Sequence, residues 1–302
     1  MNYMDACFKP DYNKAKSKSE AIFEGVNYRI TILSERLVRL EYNKDGQFFD
    51  DLTELVRNRD FDIPEFKVNQ DDKYLEITTK YFMLKYVKEK PFEGLNIEIY
   101  LLNTDKIWNV KSKEVRNFNT SGQGFILDKA DYQKGLYSVD GFVTLDDNAS
   151  MIINEDGFLT PNVENRFDKY VFMYRRDFGM CLKDYFTLTG YPPLIPRYAL
   201  GNWWNKSEIY NFMDVSNLLS KFNREDIPLA VVLLDEFWHL KDARDLDKYK
   251  TGFTFNRKLF SDPVYFTNFL HERGVKLGLN INPTEGIMPH EDAYEKIASY
   301  MN

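Results

Sequence analysis

The chain has 302 residues, of which 43% are hydrophobic and 29% are charged, and its formal net charge is −7. This balance is typical of a globular protein with one large or two ordinary domains, and it excludes a predominantly disordered chain. Acidic and basic residues are interspersed without a basic block, so we expect no nucleic-acid partner. The sequence contains no run of about 20 apolar residues, so it predicts no membrane span.

Two cysteines, Cys7 and Cys181, lie too far apart in the sequence to suggest a disulfide framework, which favours a reducing compartment. The first 20 residues lack the apolar core of a signal peptide, so we expect a cytoplasmic protein. The chain has three histidines, and no phosphate-binding or dinucleotide-binding pattern occurs. The sequence therefore predicts neither a metal nor a cofactor.

After an N-terminal segment, residues 1–19, short strand-like segments dominate residues 20–186. Apolar residues alternate with polar ones in 28–42, around a turn at Ser34-Glu35, and again in 73–87 and 95–102. Turn-forming sequences such as NKDG and NEDG separate such segments. Many short strands in succession predict an antiparallel β-sandwich.

A proline-rich segment, residues 187–197, follows the predicted sandwich. It contains Gly190, Pro192, Pro193 and Pro196. Because proline fixes φ and is incompatible with a regular helix interior, we expect a stiff linker here and a domain boundary.

Residues 198–302 alternate between apolar runs and segments with helical spacing. Asp262 as N-cap, Pro263 in the first turn and Gly274 as C-cap delimit the second helix. The predicted strands are 198–204, 229–234 and 275–281, and the predicted helices are 212–226, 262–274 and 290–301. Such alternation predicts a parallel sheet. A complete (β/α)₈ barrel needs roughly 250 residues, so these three units predict either a small open sheet or a truncated barrel.

Polar and aromatic side chains follow each of the three predicted strands. They are Asn202, Trp203, Trp204 and Asn205; Asp235, Glu236, Phe237, Trp238 and His239; and Asn280, Asn282, Thr284 and Glu285. Functional residues of parallel βα folds lie at these strand ends, and this combination indicates a polar pocket with aromatic walls, as carbohydrate sites have. Ordinary roles remain open: Asp235 as a helix cap, and the tryptophans as packing residues.

Several consecutive blocks resemble glycoside hydrolase family 31, the α-glucosidase and α-xylosidase family. They include LTGYPPLIPRYALGNWW, IPLAVVLLDEFWHL, TGFTFNRKLFSDP and GVKLGLNINPTEGI, with sandwich-like blocks upstream, in order from about residue 20. The resemblance implies the N-terminal portion of a retaining α-glycosidase: a mixed fold, with an antiparallel β-sandwich followed by the first three βα units of a (β/α)₈ TIM barrel. In the family the nucleophilic aspartate follows the fourth barrel strand and the acid/base aspartate lies further on. Both are therefore expected beyond residue 302, and no catalytic residue is assigned here.

The resemblance also places two sugar-binding residues. The family aspartate that hydrogen-bonds sugar hydroxyls falls on Asp235, and the tryptophan after it falls on Trp238. The predicted substrate-binding residues are Asp235, Trp238, Phe237, Trp204, Asn280 and Asn282. Many relatives have another aspartate where Phe237 stands, and histidine is common where Asn282 stands.

The sequence thus predicts part of an α-glucosidase-like or α-xylosidase-like enzyme that is inactive as this chain alone. Its expected partners are an α-glycoside and a separate polypeptide that supplies the remaining barrel strands. One alternative is a non-catalytic carbohydrate-binding or scaffold protein, and another is an α-glucan lyase with the same scaffold. The sequence leaves the sugar, the linkage and the oligomeric state open, and also whether the chain is a fragment, a split subunit or a degenerate relative.

Overall fold

The computed structural model describes residues 10–113, 117–118, 135–162, 166–241 and 251–301. Two compact units make up the chain, Met1–Pro192 and Pro193–Asn302, so the division lies inside the predicted linker. Cys7 lies outside the described residues.

The first unit is built mainly from two five-stranded antiparallel sheets. Its strands are β1 (Ile22–Glu24), β2 (Tyr28–Ser34), β3 (Leu37–Tyr42), β4 (Lys67–Gln70), β5 (Tyr74–Thr78), β6 (Phe82–Val87), β7 (Ile97–Leu101), β8 (Ile107–Trp108), β9 (Asn117–Phe118), β10 (Tyr137–Ser138), β11 (Phe142–Asp146), β12 (Ile152–Ile153), β13 (Leu159–Thr160) and β14 (Phe167–Met173). The first sheet has the order β1-β2-β3-β14-β11, and the second has the order β4-β5-β6-β7-β8. Strands β9 and β10, and β12 and β13, form short antiparallel pairs.

One hydrophobic core joins the two sheets of the first unit. Ile30 and Leu40 of the first sheet and Leu84 and Ile99 of the second are fully buried in the same cluster. Strands β5, β6 and β7 alternate between buried and more exposed residues, as expected for a sheet with one face on the core. Burial of these apolar faces against each other stabilises the unit.

An α-helix that was not predicted from the sequence ends the first unit. Helix α1 (Phe178–Thr189) includes the first three residues of the predicted linker and the end of the predicted strand-rich region. Asp177 caps it, because its side chain accepts a hydrogen bond from the Met180 amide at 3.3 Å. The helix covers the face of the first sheet opposite the second sheet and buries Cys181 there. Burial raises the pKa of the Cys181 thiol and keeps it protonated.

Charged side chains are buried in the first sheet. The Arg39 guanidinium donates to both carboxylate oxygens of Asp168, at 2.9 and 2.7 Å. Arg29 makes a similar two-point contact with Glu41, at 2.6 and 2.8 Å. Burial alone would raise the pKa of Asp168, but the neighbouring Arg39 charge outweighs it and lowers the pKa. Each buried charge therefore depends on its partner.

The second unit contains a parallel sheet in which each strand is followed by a helix. Its elements are β15 (Trp203–Lys206), α2 (Phe212–Arg224), β16 (Val231–Leu234), α3 (Pro263–His271), β17 (Lys276–Leu279) and α4 (Tyr294–Met301). The sheet has the order β15-β16-β17, and both pairings are parallel. Within the described residues these three strands do not close into a barrel.

Helix ends in the second unit follow local signals. Asp262 caps α3 as predicted, by accepting a hydrogen bond from the Tyr265 amide at 2.9 Å. Its C-cap is Glu272 rather than Gly274; Gly274 lies two residues further on, with φ +72°, and turns the chain toward β17. No helix in the described part of the chain has the length and apolar character needed to span a membrane.

Valine and leucine side chains of β16 pack against the helices. Val232 and Leu234 share a hydrophobic cluster with Val215 of α2 and with Phe266 and Leu270 of α3. Because side chains alternate along a strand, the residues paired with Val232 and Leu234 also face the helices. This alternation decides which of the predicted site residues face the helix layer.

Replacing Asn211, the N-cap of α2, should weaken the second unit. The Asn211 side chain accepts from the Asp214 amide and the Asp214 carboxylate accepts from the Asn211 amide, both at 3.0 Å. Loss of this capping box in Asn211→Ala should cost about 1 kcal/mol. Urea unfolding followed by tryptophan fluorescence measures the loss. Asn211→Asp keeps an acceptor and should be close to wild type; equal stability of all three proteins would contradict the capping role.

Candidate functional site

Three strands of the second unit end side by side. Lys206 of β15 pairs with Leu234 of β16, which pairs with Leu279 of β17. The residues that follow these three are Ser207, Asp235 and Asn280. Since the strands are parallel and in register, these polar residues meet at the carboxyl edge of the sheet, where parallel βα folds place their sites.

Asp235 is held by donors from its own loop and from the next strand. Its Oδ1 accepts from the Asn280 side-chain amide at 2.7 Å and from the Glu236 backbone amide at 2.9 Å. The Asn280 hydrogen bond is the main cause of a lowered Asp235 pKa; burial partly opposes it, and the Glu236 amide and the Ser207 hydroxyl lower the pKa further. Asp235 is therefore ionised at neutral pH and can only accept hydrogen bonds.

Trp238 lies beneath this edge rather than in it. The side chain is 3% exposed, and its ring packs edge-on against Phe255 with centroids 4.8 Å apart. The indole Nε1 donates to the backbone oxygen of Asn280 at 2.9 Å. Trp238 thus contacts the site through Asn280.

Trp204 and Trp203 point to opposite faces of the sheet. Trp204 pairs with Val232 and faces the helices, where it packs edge-on against Phe222 at 5.5 Å. Its indole donates to the Tyr210 hydroxyl at 3.2 Å. Trp203 lies on the other face and is 46% exposed. The predicted site residue Trp204 is therefore on the helix side of the strand that leads to Ser207.

Phe237 and Asn282 lie in the loops that follow β16 and β17. The Phe237 ring is partly buried, and the Lys241 ammonium lies 4.7 Å from its centroid. Asn282 is exposed, and its side-chain oxygen accepts from the Thr284 backbone amide at 3.0 Å. The structure thus joins Asp235, Asn280 and Trp238 by direct hydrogen bonds and leaves Phe237 and Asn282 in the surrounding loops.

Hydrogen bonds between residues far apart in the sequence connect the loops around this edge. The Glu291 carboxylate accepts from the Phe253 amide at 3.1 and 3.2 Å, and the Thr251 hydroxyl accepts from the Glu285 amide at 3.1 Å. Gly252 passes so close to His239 that a Cβ there would lie 1.9 Å from Nδ1. The hydrogen-bonded residues Thr251 and Glu285 are 34 residues apart in the sequence, and Phe253 and Glu291 are 38 apart, so no local pattern predicts either contact.

The chemistry of the edge suits a ligand that donates hydrogen bonds, such as one with hydroxyl groups. It offers an ionised acceptor, Asp235, and beside it the Ser207 hydroxyl, which bonds to Asp235 and keeps its oxygen as a further acceptor. In the described part of the chain, no group of three histidine, cysteine, aspartate or glutamate side chains converges as metal ligands would.

Comparison with known proteins connects this geometry to a class of enzymes, the glycoside hydrolases. Residues 192–301 match the family model described as the glycosyl hydrolases family 31 TIM-barrel domain. The match covers about a third of this chain and nearly coincides with its second unit. The family resemblance predicted from the sequence is therefore confirmed.

Two curated relatives are both named alpha-xylosidase. The protein from Saccharolobus solfataricus is 31% identical over 123 residues, which cover 40% of this chain and 16% of the relative. The protein from Emericella nidulans is 35% identical over 107 residues, covering 35% of this chain and 13% of the relative. The matched segments are therefore less than a fifth of either relative's length.

A solved structure supports the fold over most of the chain. A GH31 alpha-xylosidase from a soil metagenome, complexed with xylose, superposes with a TM-score of 0.59 at 14% sequence identity. The superposition covers 93% of this chain and 48% of that protein. Both units of this chain thus have counterparts in a family 31 fold.

Proposed function

We propose that this chain is the N-terminal part of a retaining family 31 α-glycosidase and that its second unit forms one wall of the sugar site. In this proposal the two sheets of the first unit are the N-terminal β-sandwich. The three strand–helix pairs are the first βα units of the (β/α)₈ barrel. The observation that carries the proposal is the contact of Asn280 with Asp235, which fixes an ionised acceptor at the carboxyl edge of adjacent parallel strands.

The role of Asp235 is to hold the sugar ring. A carboxylate accepts hydrogen bonds from hydroxyl groups, and such charge-assisted bonds are stronger than neutral ones. A ring held at a fixed position enters the reaction with less loss of entropy, which lowers the barrier. The substrate class is an uncharged α-glycoside, and the names of the two curated relatives favour an α-xyloside.

Bond cleavage needs groups other than Asp235. A retaining glycosidase uses a nucleophilic carboxylate and an acid/base carboxyl group about 5–5.5 Å apart. The lowered pKa of Asp235 makes it a poor proton donor at neutral pH. We assign cleavage to carboxyl groups on further barrel strands that extend the sheet β15-β16-β17.

The direct test is an assay with 4-nitrophenyl α-D-xylopyranoside and α-D-glucopyranoside. The 302-residue chain is assayed alone and mixed with a polypeptide carrying the remaining barrel strands of a family 31 xylosidase. Turnover only in the mixture, and faster with the xyloside, supports the proposal. Turnover by the chain alone overturns the assignment of the catalytic pair. Binding of methyl α-D-xylopyranoside without turnover in the mixture would instead support the non-catalytic alternative.

Asp235→Asn should reduce kcat/KM of the active mixture by about 10- to 100-fold. The substitution keeps the size of the side chain but removes the charge, and a hydrogen bond to a charged group is worth about 1.5–3 kcal/mol. Glu272→Gln is the matched control. Glu272 is exposed and follows α3, at the opposite end of the strands. Equal kcat/KM for Asp235→Asn and the control would show that Asp235 does not contact the sugar.

A further inference from the structure

Three polar groups of Asn280 form hydrogen bonds with the end of β16 and the loop that follows it. Its backbone amide donates to the Leu234 oxygen at 2.9 Å, and its side-chain amide donates to Asp235 Oδ1 at 2.7 Å. Its backbone oxygen accepts from the Trp238 indole at 2.9 Å. A residue held at both backbone groups has little freedom, so its side chain reaches Asp235 from a fixed direction.

The indole that holds Asn280 is itself fixed by packing. Trp238 is almost fully buried and lies in the cluster that also contains Phe260 and Phe266. Its ring contacts Phe255 in an edge-on arrangement, which is a favourable geometry for aromatic pairs. The buried Trp238 ring therefore restrains the backbone of Asn280.

Two hydrogen bonds to the Asp235 carboxylate end on Oδ1. One donor is the Asn280 side chain and the other is the Glu236 backbone amide. With Oδ1 engaged by two donors, the carboxylate has a preferred rotation about its last bond. The direction from which the carboxylate can accept a hydrogen bond from an incoming hydroxyl group is then fixed as well.

We propose that Asn280 is a positioning residue for Asp235: it fixes Oδ1 and so sets the orientation in which the carboxylate meets a hydroxyl of the bound sugar. This inference rests on the proposed function, because it specifies how the sugar-binding carboxylate is oriented. Asn280 acts through Asp235. Its loss should weaken sugar recognition even where the fold and the charge of Asp235 are kept.

The first measurement is the pKa of the Asp235 side chain, followed by carbon-13 NMR of labelled carboxyl groups without any sugar. In Asn280→Leu the pKa should rise toward the ordinary aspartate value, because the largest cause of its lowering is gone. Asn268→Leu is the control. Asn268 is an exposed residue of α3, and its replacement should leave the Asp235 pKa unchanged. An unchanged pKa in Asn280→Leu overturns the proposal.

A second variant keeps the proposal testable if Asn280→Leu does not fold. Asn280→Asp keeps the shape of the side chain but replaces a donor with a second carboxyl group. Two carboxylates in contact cannot both ionise easily, so the Asp235 pKa should rise further than in Asn280→Leu. A pKa equal to wild type in this variant would also overturn the proposal.

The second measurement uses the active mixture and 4-nitrophenyl α-D-xylopyranoside. Asn280→Leu should reduce kcat/KM by about 10-fold, as expected for the loss of one hydrogen bond to a charged group. Because the NMR measurement needs no sugar, an unchanged Asp235 pKa refutes positioning whatever the assay shows. A raised pKa with unchanged kcat/KM refutes the link to the sugar. Absence of turnover in the wild-type mixture counts against the proposed function.

Discussion

Arg39→Met should destabilise the first unit by about 3–5 kcal/mol. Arg39 is 2% exposed and donates to both oxygens of Asp168, and its Nη2 lies 3.0 Å from a Glu41 oxygen. Methionine fills much of the volume of the arginine side chain but carries no charge. The buried carboxylates of Asp168 and Glu41 therefore lose one neighbouring cation. Removing one member of a buried ion pair usually costs this much, because the remaining charge loses its compensation.

Hydrogen exchange of β2 and β3 peptides, measured by mass spectrometry at neutral pH, reports this loss directly. Lys85→Met is the matched control in the same unit. Lys85 pairs with Glu76 at 3.6 Å, but both side chains are well exposed, so its replacement should cost at most about 1 kcal/mol. Exchange in Arg39→Met no faster than in the control would show that the buried network does not stabilise the sheet.

Trp238→Ala should cost the second unit about 3–5 kcal/mol and remove the indole that holds Asn280. The ring is buried among Phe255, Phe260 and Phe266, so its deletion leaves a cavity in the core. Domains of this size are stable by only about 5–15 kcal/mol, so much of the folded population should be lost. Urea unfolding followed by far-UV circular dichroism measures the change.

Two further variants separate the roles of the Trp238 ring. Trp238→Phe keeps most of the packing and loses the Nε1 donor, so it should cost less than Trp238→Ala and still release the Asn280 oxygen. Trp203→Ala removes a tryptophan that is 46% exposed on the other face of the sheet, and it should cost about 1 kcal/mol or less. A Trp238→Ala protein as stable as Trp203→Ala would contradict the core position of Trp238.

Local signals in the sequence were sufficient for the regular parts of the second unit. The apolar run before Asp235 and the cap at Asp262 predicted β16 and the start of α3, and both occur. Helix α1 was missed because its apolar residues were grouped with the strands before it. A local signal was present, since Asp177 directly precedes the helix and caps it.

Long-range contacts could not be predicted in the same way. Arg39 and Glu41 read as the polar positions of an alternating strand, yet they are buried because Asp168, 129 residues from Arg39, provides a partner. At the candidate site, the strand-end rule predicted that Asp235 and Asn280 lie close together. The rule did not specify that Trp238 reaches Asn280 from below or that Trp204 faces the helices, because those depend on strand register and on the exact turn after β16.

The order of strands in the two units has a consequence for synthesis on the ribosome. Strand β3 pairs with β14, and Tyr42 lies opposite Phe167. After Tyr42 is synthesised, about 125 more residues must be made before this pairing can form. At 5–20 residues per second this takes about 6–25 s, during which one edge of β3 lacks its neighbour. The sheet β15-β16-β17 instead follows chain order, so each new strand pairs with the one made just before it. The first strands of the first unit therefore stay without all their sheet neighbours for longer than those of the second unit.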